Sequence, residues 1–444
     1  MTVTSKHQKA TEKLFSGARQ ASITEPDTVS WAPGRGRGPD TNAPAEQAAE
    51  SQGSTETTPQ TTPQTAPQTQ AQTVRPGALA ATGSPAVRPP AAQHLSDEQV
   101  AELGRELDAV RDSVLAQRGA TDAAYIRRVI RWQRALEVGG RACLLGANNK
   151  VAWTAGTAML TVAKIIENME IGHNVLHGQW DWMRDPDIHS TTWEWDFVTP
   201  SKAWQNTHND MHHRWTNVIG KDRDVGYNVL RVDRDQPWEP KHILNPVINA
   251  GLAPVFEWGI ALYDLELDRV KTGEKSKSEL MRDLKTVGLK AAKQFAKDYA
   301  ATPVAAQILT GSGKSALLGT VAANGLRNIW AHAVIFCGHF PEGAETFTEE
   351  MVEGETRGDW YVRQMIGSAN ISGSQAMHFM TGNLSHQVEH HLFPDLPSNR
   401  YAEVAVQVRE ICERYGLPYN TGPLHRQVGS TWGKIFRLAL PNRR

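Results

Sequence analysis

Three short stretches hold most of the residues able to do chemistry: "EIGHNVLHGQWDW", "NTHNDMHHRWTN" and "SHQVEHHLFP". The first sets His173 and His177 four residues apart, on one face of a helix. The second repeats that spacing with His208 and His212 and adds His213 one step round. The third offers His386 four before His390, and Gln387 three and four before His390 and His391. A fourth stretch, "NGLRNIWAH", places Asn328 four residues before His332. Imidazole suits several divalent metals, so spacing alone does not choose between zinc and iron. The count helps, because one zinc ion takes three or four protein ligands, and the eight or nine imidazoles here suffice for two ions. His339 is a weaker candidate, lying close to Pro341 where its helix should end, and His378 is weaker still.

Such separated segments act together only if longer elements carry them. "VAWTAGTAMLTVAKIIENMEIG" at 151–172 is largely apolar, broken by Lys164, and leads into the first cluster. "ILNPVINAGLAPVFEWGIALY" at 243–263 resembles it, and 300–338 reads as a bent hairpin or as one span with an interfacial lead-in. Apolar stretches of this length are either membrane spans or buried core helices, and three of them flanking histidine clusters favour the membrane. The segment 264–299 is rich in Lys and Arg, which prefers the cytosolic side. Upstream, Ser96 and Gln99 form a capping-box pattern, with Leu95, Val100, Leu103 and Leu107 as one stripe of a helix to about 117. A second helix through "DAAYIRRVIRWQRALEVGG" carries the Arg and Trp of an interfacial or surface-packed helix.

Residues 1–92, with "STETTPQTTPQTAPQTQAQT", have too few large apolar groups to offset the entropy of ordering and are expected to be disordered. The working domain is expected over 93–425, with 426–444 a C-terminal tail. A net charge of -1 gives no reason to expect nucleic acid as partner. Cys143, Cys337 and Cys412 have no CxxC spacing, which argues against a disulfide scaffold or an iron-sulfur site. The opening "MTVTSKHQKATEKLF" shows no signal peptide, so the protein is expected to stay with the cell. "LTGSGKSALLG" is not a phosphate-binding loop, since position 308 is Ile where that loop needs Gly.

The order HxxxH, HxxxHH and Q or H before xxHH resembles the membrane-bound fatty acyl desaturase superfamily over roughly 150–400. Through "ENMEIGHNVLHGQWDWM", "HNDMHHRWTN" and "HQVEHHLFPDLP" it is most similar to actinobacterial acyl-CoA desaturases. The resemblance implies an all-α membrane protein, in which transmembrane helices carry a cytosolic helical cap with a histidine-rich dinuclear iron site. It implies a long acyl tunnel and oxygen-dependent removal of two hydrogens from a long-chain acyl-CoA of stearoyl type. His173, His177, His208, His212, His213, His332, His390 and His391 carry over as metal-binding and catalytic residues, with Asn328 holding a metal-bound water. At the remaining position either Gln387 or His386 approaches the metal. Glu389, Asp181, Asp210 and Asp224 are candidates to hold the outer nitrogens, and Trp180, Trp182, Trp193, Trp195 and Trp204 suit an acyl entrance or an aromatic core. With no flavin, haem or iron-sulfur motif in the chain, electrons are expected from a ferredoxin or an NADPH-dependent oxidoreductase. Lys202, Arg214, Lys221, Arg223, Lys241 and Arg357 are available to meet it or the CoA phosphates. The rival activities are a lipid hydroxylase on the same framework and a metal-binding membrane protein without turnover.

Overall fold

The computed structural model describes residues 87–442. Most of the expected low-complexity tail therefore lies outside the described residues. Its last residues pack on the body: Ala92 is buried, and Arg88 Nε donates to Asp359 at 2.8 Å.

Helix α1 (Asp97–Ala116) starts at the expected capping box. Ser96 N donates to Gln99 Oε1 at 2.8 Å and Gln99 N to Ser96 Oγ at 3.3 Å, which satisfies two of the free donors of the first turn. Leu95, Val100, Leu103 and Leu107 are all buried, as the stripe requires. Helices α2 (Ala120–Leu144) and α3 (Lys150–Ile166) form a hairpin. Their backbones meet at Gly140 and Gly156, where a Cβ on either would come within 2.9 Å of the other helix. Lys164, the charge that interrupts the apolar stretch, is buried and bound to Asp298 at 2.7 Å and Asp196 at 3.0 Å.

The stretch 243–263 is not one helix. Pro254 lacks the N–H that a continuous helix needs, and the chain breaks into α4 (Asn245–Leu252) and α5 (Phe256–Tyr263). Helix α6 (Lys277–Phe295) follows, then α7 (Thr302–Thr310), a turn at Gly311 and α8 (Gly313–His339), so 300–338 takes the bent-hairpin form. Helices α9 (Arg357–Ile366), α10 (Gln387–Leu392), α11 (Tyr401–Arg414) and α12 (Leu424–Leu438) complete the core. Residues 426–438, expected as tail, form most of α12, and Gln427, Thr431, Ile435 and Leu438 are buried.

The architecture is mostly helical. One departure from all-α is a short parallel pair, with Asn370 opposite Thr421 and Ser372 opposite Pro423. Among the described residues no helix is long and apolar enough to cross a membrane. The apolar stretch 243–263 is divided, α3 contains Lys164, and the interior of α8 carries Asn324, Arg327, Asn328 and His332. Arg327 is fully buried against Glu257 at 2.7 Å, one of several ion pairs that hold these helices together.

Candidate metal centre

The first two histidine clusters sit where a helix widens by one residue per turn. Glu167–His173 continues α3 as a π-helical segment, and Gln205–His212 does the same after a single α-turn at Ser201–Trp204. The extra residue rotates the following side chains, a device frequent at functional sites. The third cluster is on α10, which packs beside the C-terminal end of α8. Gly338 allows that approach, since a Cβ there would stand 2.9 Å from the Gln387 side chain.

These elements bring the imidazoles into two groups. His173, His177, His208 and His390 have ligand nitrogens all within 4.8 Å of one another, and so do His212, His339 and His391. His213 lies between the groups, its ring 4.6 Å from His177 and stacked on His391 at 4.4 Å.

The polar atoms fit metal ions. The Nε2 atoms of His177, His208, His212, His213 and His391 are buried with no hydrogen-bond partner. His173 Nε2 faces His390 Nε2 at 3.2 Å. Three of the outer nitrogens, by contrast, are held, while those of His213 and His339 have no partner among the described residues. His212 Nδ1 is 2.9 Å from Asp222, His390 Nδ1 3.2 Å from the Tyr401 hydroxyl, and His391 Nδ1 3.1 Å from Gln364 Oε1. Anchored outer nitrogens with free inner ones are what metal-binding imidazoles need. Burial pushes His177, His208, His213, His339, His390 and His391 well below the ordinary imidazole value and His173 down to about 3, which keeps them in the neutral, ligating form. His212 is the exception: burial alone would lower it, but the carboxylates of Asp222 and Asp224 hold it above its usual value.

The remaining sequence candidates divide. Gln387 is at the centre, its Nε2 3.1 Å from His339 Nε2, while His386 turns away to stack on His378 at 4.6 Å. His332 is not in either group. Its Nε2 is 3.0 Å from Asn249 Oδ1 and its ring stacks on Phe336 at 4.0 Å. Asn328 braces the broken α4–α5 segment, donating to Pro254 O at 3.0 Å. The side of α8 toward the centre carries Ala331, Ile335 and His339, and His332, only about 20° round from His339, lies two turns or about 10.5 Å earlier along the axis. His339, discounted for its place at the helix end, is therefore the residue that α8 delivers.

Of the expected outer carboxylates, Asp224 lies 3.6 Å from His208 Nδ1. Asp222, the closest to His212, was missed, and "KDRDVG" offered its only signal, two aspartates two apart after the second cluster. Glu389 accepts from Asn370 and Tyr419 at 2.9 Å each and so ties α10 to the parallel strand pair. Asp181 is engaged by Ser190, and Asp210 is exposed. Glu170, also missed, accepts from Ser398 at 2.6 Å, Tyr125 at 2.7 Å and Asn383 at 2.9 Å, fastening the first cluster to the segments around the third.

A cleft opens from His173, His208, His339 and Gln387. Its walls are mainly apolar, with Met169, Trp195, Phe197, Trp204, Phe256 and Ile260 among them. Of the tryptophans singled out, Trp195 and Trp204 line it, and Trp204 stacks on His208 at 4.3 Å.

Paired buried imidazole groups able to hold metal thus open on an apolar cleft in a mostly helical protein. The chain is a member of the fatty acid desaturase family, whose model matches residues 150–423. It is 53% identical over 351 residues to the NADPH-dependent stearoyl-CoA 9-desaturase of Mycobacterium tuberculosis, covering 79% of this chain and 82% of that protein. It is 25% identical over 275 residues to the sn-1 linoleoyl-lipid 6-desaturase of Synechocystis, covering 60% and 75% of the two chains. With the acyl-lipid (8-3)-desaturase of Mortierella alpina it shares 27% over 222 residues, 49% of each chain. No solved structure matches the chain.

Proposed function

We propose that this desaturase is an acyl-CoA 9-desaturase of the stearoyl type, holding two iron ions. The carrying observation is the pair of buried imidazole groups at one end of an apolar cleft, in a chain 53% identical to a stearoyl-CoA 9-desaturase. His173, His177, His208 and His390 would hold one iron and His212, His339 and His391 the other, with His213 between them and Gln387 beside His339. His339 takes the place first expected of His332, and Gln387 the place left open between it and His386. When bound, iron supplies the power to break unactivated C–H bonds with oxygen and two electrons.

The chain's own residues do the rest. Phe256, Trp195 and Trp204 present an apolar wall that excludes water and fixes which carbons of the chain lie beside the imidazoles. Asp222, Tyr401 and Gln364 fix the rings by their outer nitrogens. Overall, a saturated CH2–CH2 pair, O2, two electrons and two protons give a CH=CH pair and two waters. The electrons come from a separate reductase or ferredoxin, a reading supported by the NADPH dependence in the relative's name. Exposed Ile243, Leu244, Val247, Trp258, Ile308 and Leu309 support attachment to a bilayer, and the Lys/Arg-rich segment 264–299 supports a cytoplasmic side for the imidazole centre.

The test is mass spectrometry of the acyl products after iron-loaded protein is given stearoyl-CoA, oxygen and a reduced ferredoxin system. Loss of two hydrogens between carbons 9 and 10 is expected. Gain of one oxygen would instead make the protein a hydroxylase, and unchanged substrate under reducing turnover conditions would overturn the enzymatic reading.

A further inference from the structure

Helix α6 turns its largest apolar side chains outward. Its inward side mixes the half-buried Leu280, Val287 and Ala291 with polar anchors: Lys290 Nζ donates to Thr199 O at 2.6 Å, Gln294 Nε2 to Glu257 at 2.8 Å, and Asp283 pairs with Lys275 at 2.6 Å. Its outward side is apolar. Met281, Leu284, Leu289 and Phe295 are 63, 40, 64 and 59% exposed. Met281, Leu284, Gly288, Ala292 and Phe295 recur at intervals of three and four and so form one stripe, with Leu289 on its flank. A continuous apolar stripe left in water marks an interaction surface.

The charges choose the occupant. Lys277, Arg282, Lys285 and Lys293 are exposed and make no ion pair among the described residues. The acids of the helix are engaged elsewhere, Glu279 in the capping box with Ser276 and Asp283 with Lys275. Cations beside an apolar stripe match an anionic lipid surface, with phosphate at the ammonium heads and acyl chains below. A second copy of the helix would set like charges against each other. An acidic protein patch would answer the cations and leave the stripe in water.

We propose that α6 lies along the headgroup region of an anionic bilayer, the stripe from Met281 to Phe295 dipping into the acyl boundary and Lys277, Arg282, Lys285 and Lys293 on lipid phosphates. This rests on the membrane reading above and adds which element makes the contact and which lipid it prefers. It also gives the Lys/Arg-rich segment 264–299 a role at the membrane surface rather than as a free loop.

The full chain carrying Cys143→Ser and Leu289→Cys is labelled with a polarity-sensitive fluorophore and reconstituted with phosphatidylcholine vesicles, with or without phosphatidylglycerol. Val406→Cys, on the exposed face of α11, is the control. The label at 289 is expected to blue-shift with phosphatidylglycerol and the label at 406 to stay in water. Lys285→Ala with Lys293→Ala should lower the local docking constant roughly 30-fold, and added salt should weaken docking. Co-flotation with a water-exposed label at 289 overturns the role of α6 while leaving membrane attachment intact. Absence of co-flotation overturns both readings. An equal shift on pure phosphatidylcholine overturns the anionic preference, and a concentration-dependent shift without vesicles would assign the stripe to a second copy of the chain.

Discussion

Replacing His339 by Ala separates the ligand set derived from the geometry from the one expected by spacing. His339 supplies one of three nitrogens in its group, so its loss leaves His212 and His391, below the three or four ligands that a protein normally gives a bound ion. Removing even an outer partner of a metal ligand costs about 10–100-fold in affinity, and removing the ligand itself should cost more. Iron per chain, measured by plasma mass spectrometry after purification, should therefore fall to about half of the parent's, the other group being intact. His332→Ala provides the contrast. It strips Asn249 Oδ1 of its buried partner and Phe336 of a stacked ring. That should cost about 1–3 kcal/mol of stability, seen as a lower unfolding midpoint, with iron content unchanged. His386→Ala, which loses its stack on His378 and its approach to Glu389 at 3.9 Å, should also keep its iron. Full iron in His339→Ala, or iron loss in His332→Ala without unfolding, would refute the assignment.

Two further outcomes follow from burial. His173, held at about 3, is neutral in the folded chain and takes a proton on unfolding below about 6.5, so it costs stability as pH falls from about 6.5 toward 3. Glu389 and Asp264, both pushed up to about 7 by burial, bind protons in the folded state first and so oppose this between about 7 and their unfolded values near 4. Because His177, His208, His213, His339, His390 and His391 are lowered as well, the imidazoles outnumber these two carboxyls, and urea unfolding of the iron-free protein should show a steady loss of stability as pH falls below about 6.5; a flat profile between about 6.5 and 4.5 would contradict the neutral state of the buried imidazoles. Glu257→Ala leaves the fully buried Arg327 without its carboxylate and should destabilise by about 3–5 kcal/mol, read from chemical denaturation. A change under 1 kcal/mol would mean that Arg327 is satisfied by Asn168, Asn324 and the Asp196 carbonyl without Glu257.

Local patterns in the chain were enough to determine the local facts. A spacing of four puts His173 with His177 and His208 with His212 on shared faces whatever surrounds them, and Ser96 with Gln99 marks a helix start because both partners lie within one turn. The order of the clusters was sufficient to indicate a desaturase. What the spacing left open depends on the phase of one element against another. His332 and His339 are seven apart on nearly the same face of one helix, and only the packing of α8 against α10 and the cleft decides that the later turn, with His339, meets the centre while the turn of His332 meets Asn249. Gln387 and His386 are neighbours, and the start of α10 alone orients one to His339 and the other to His378. Asp222 reaches His212 through a turn, with no helical period to announce it. Periodicity reports which side chains share a face; the direction of that face is set by contacts between segments far apart in the chain, and there the tertiary structure decided.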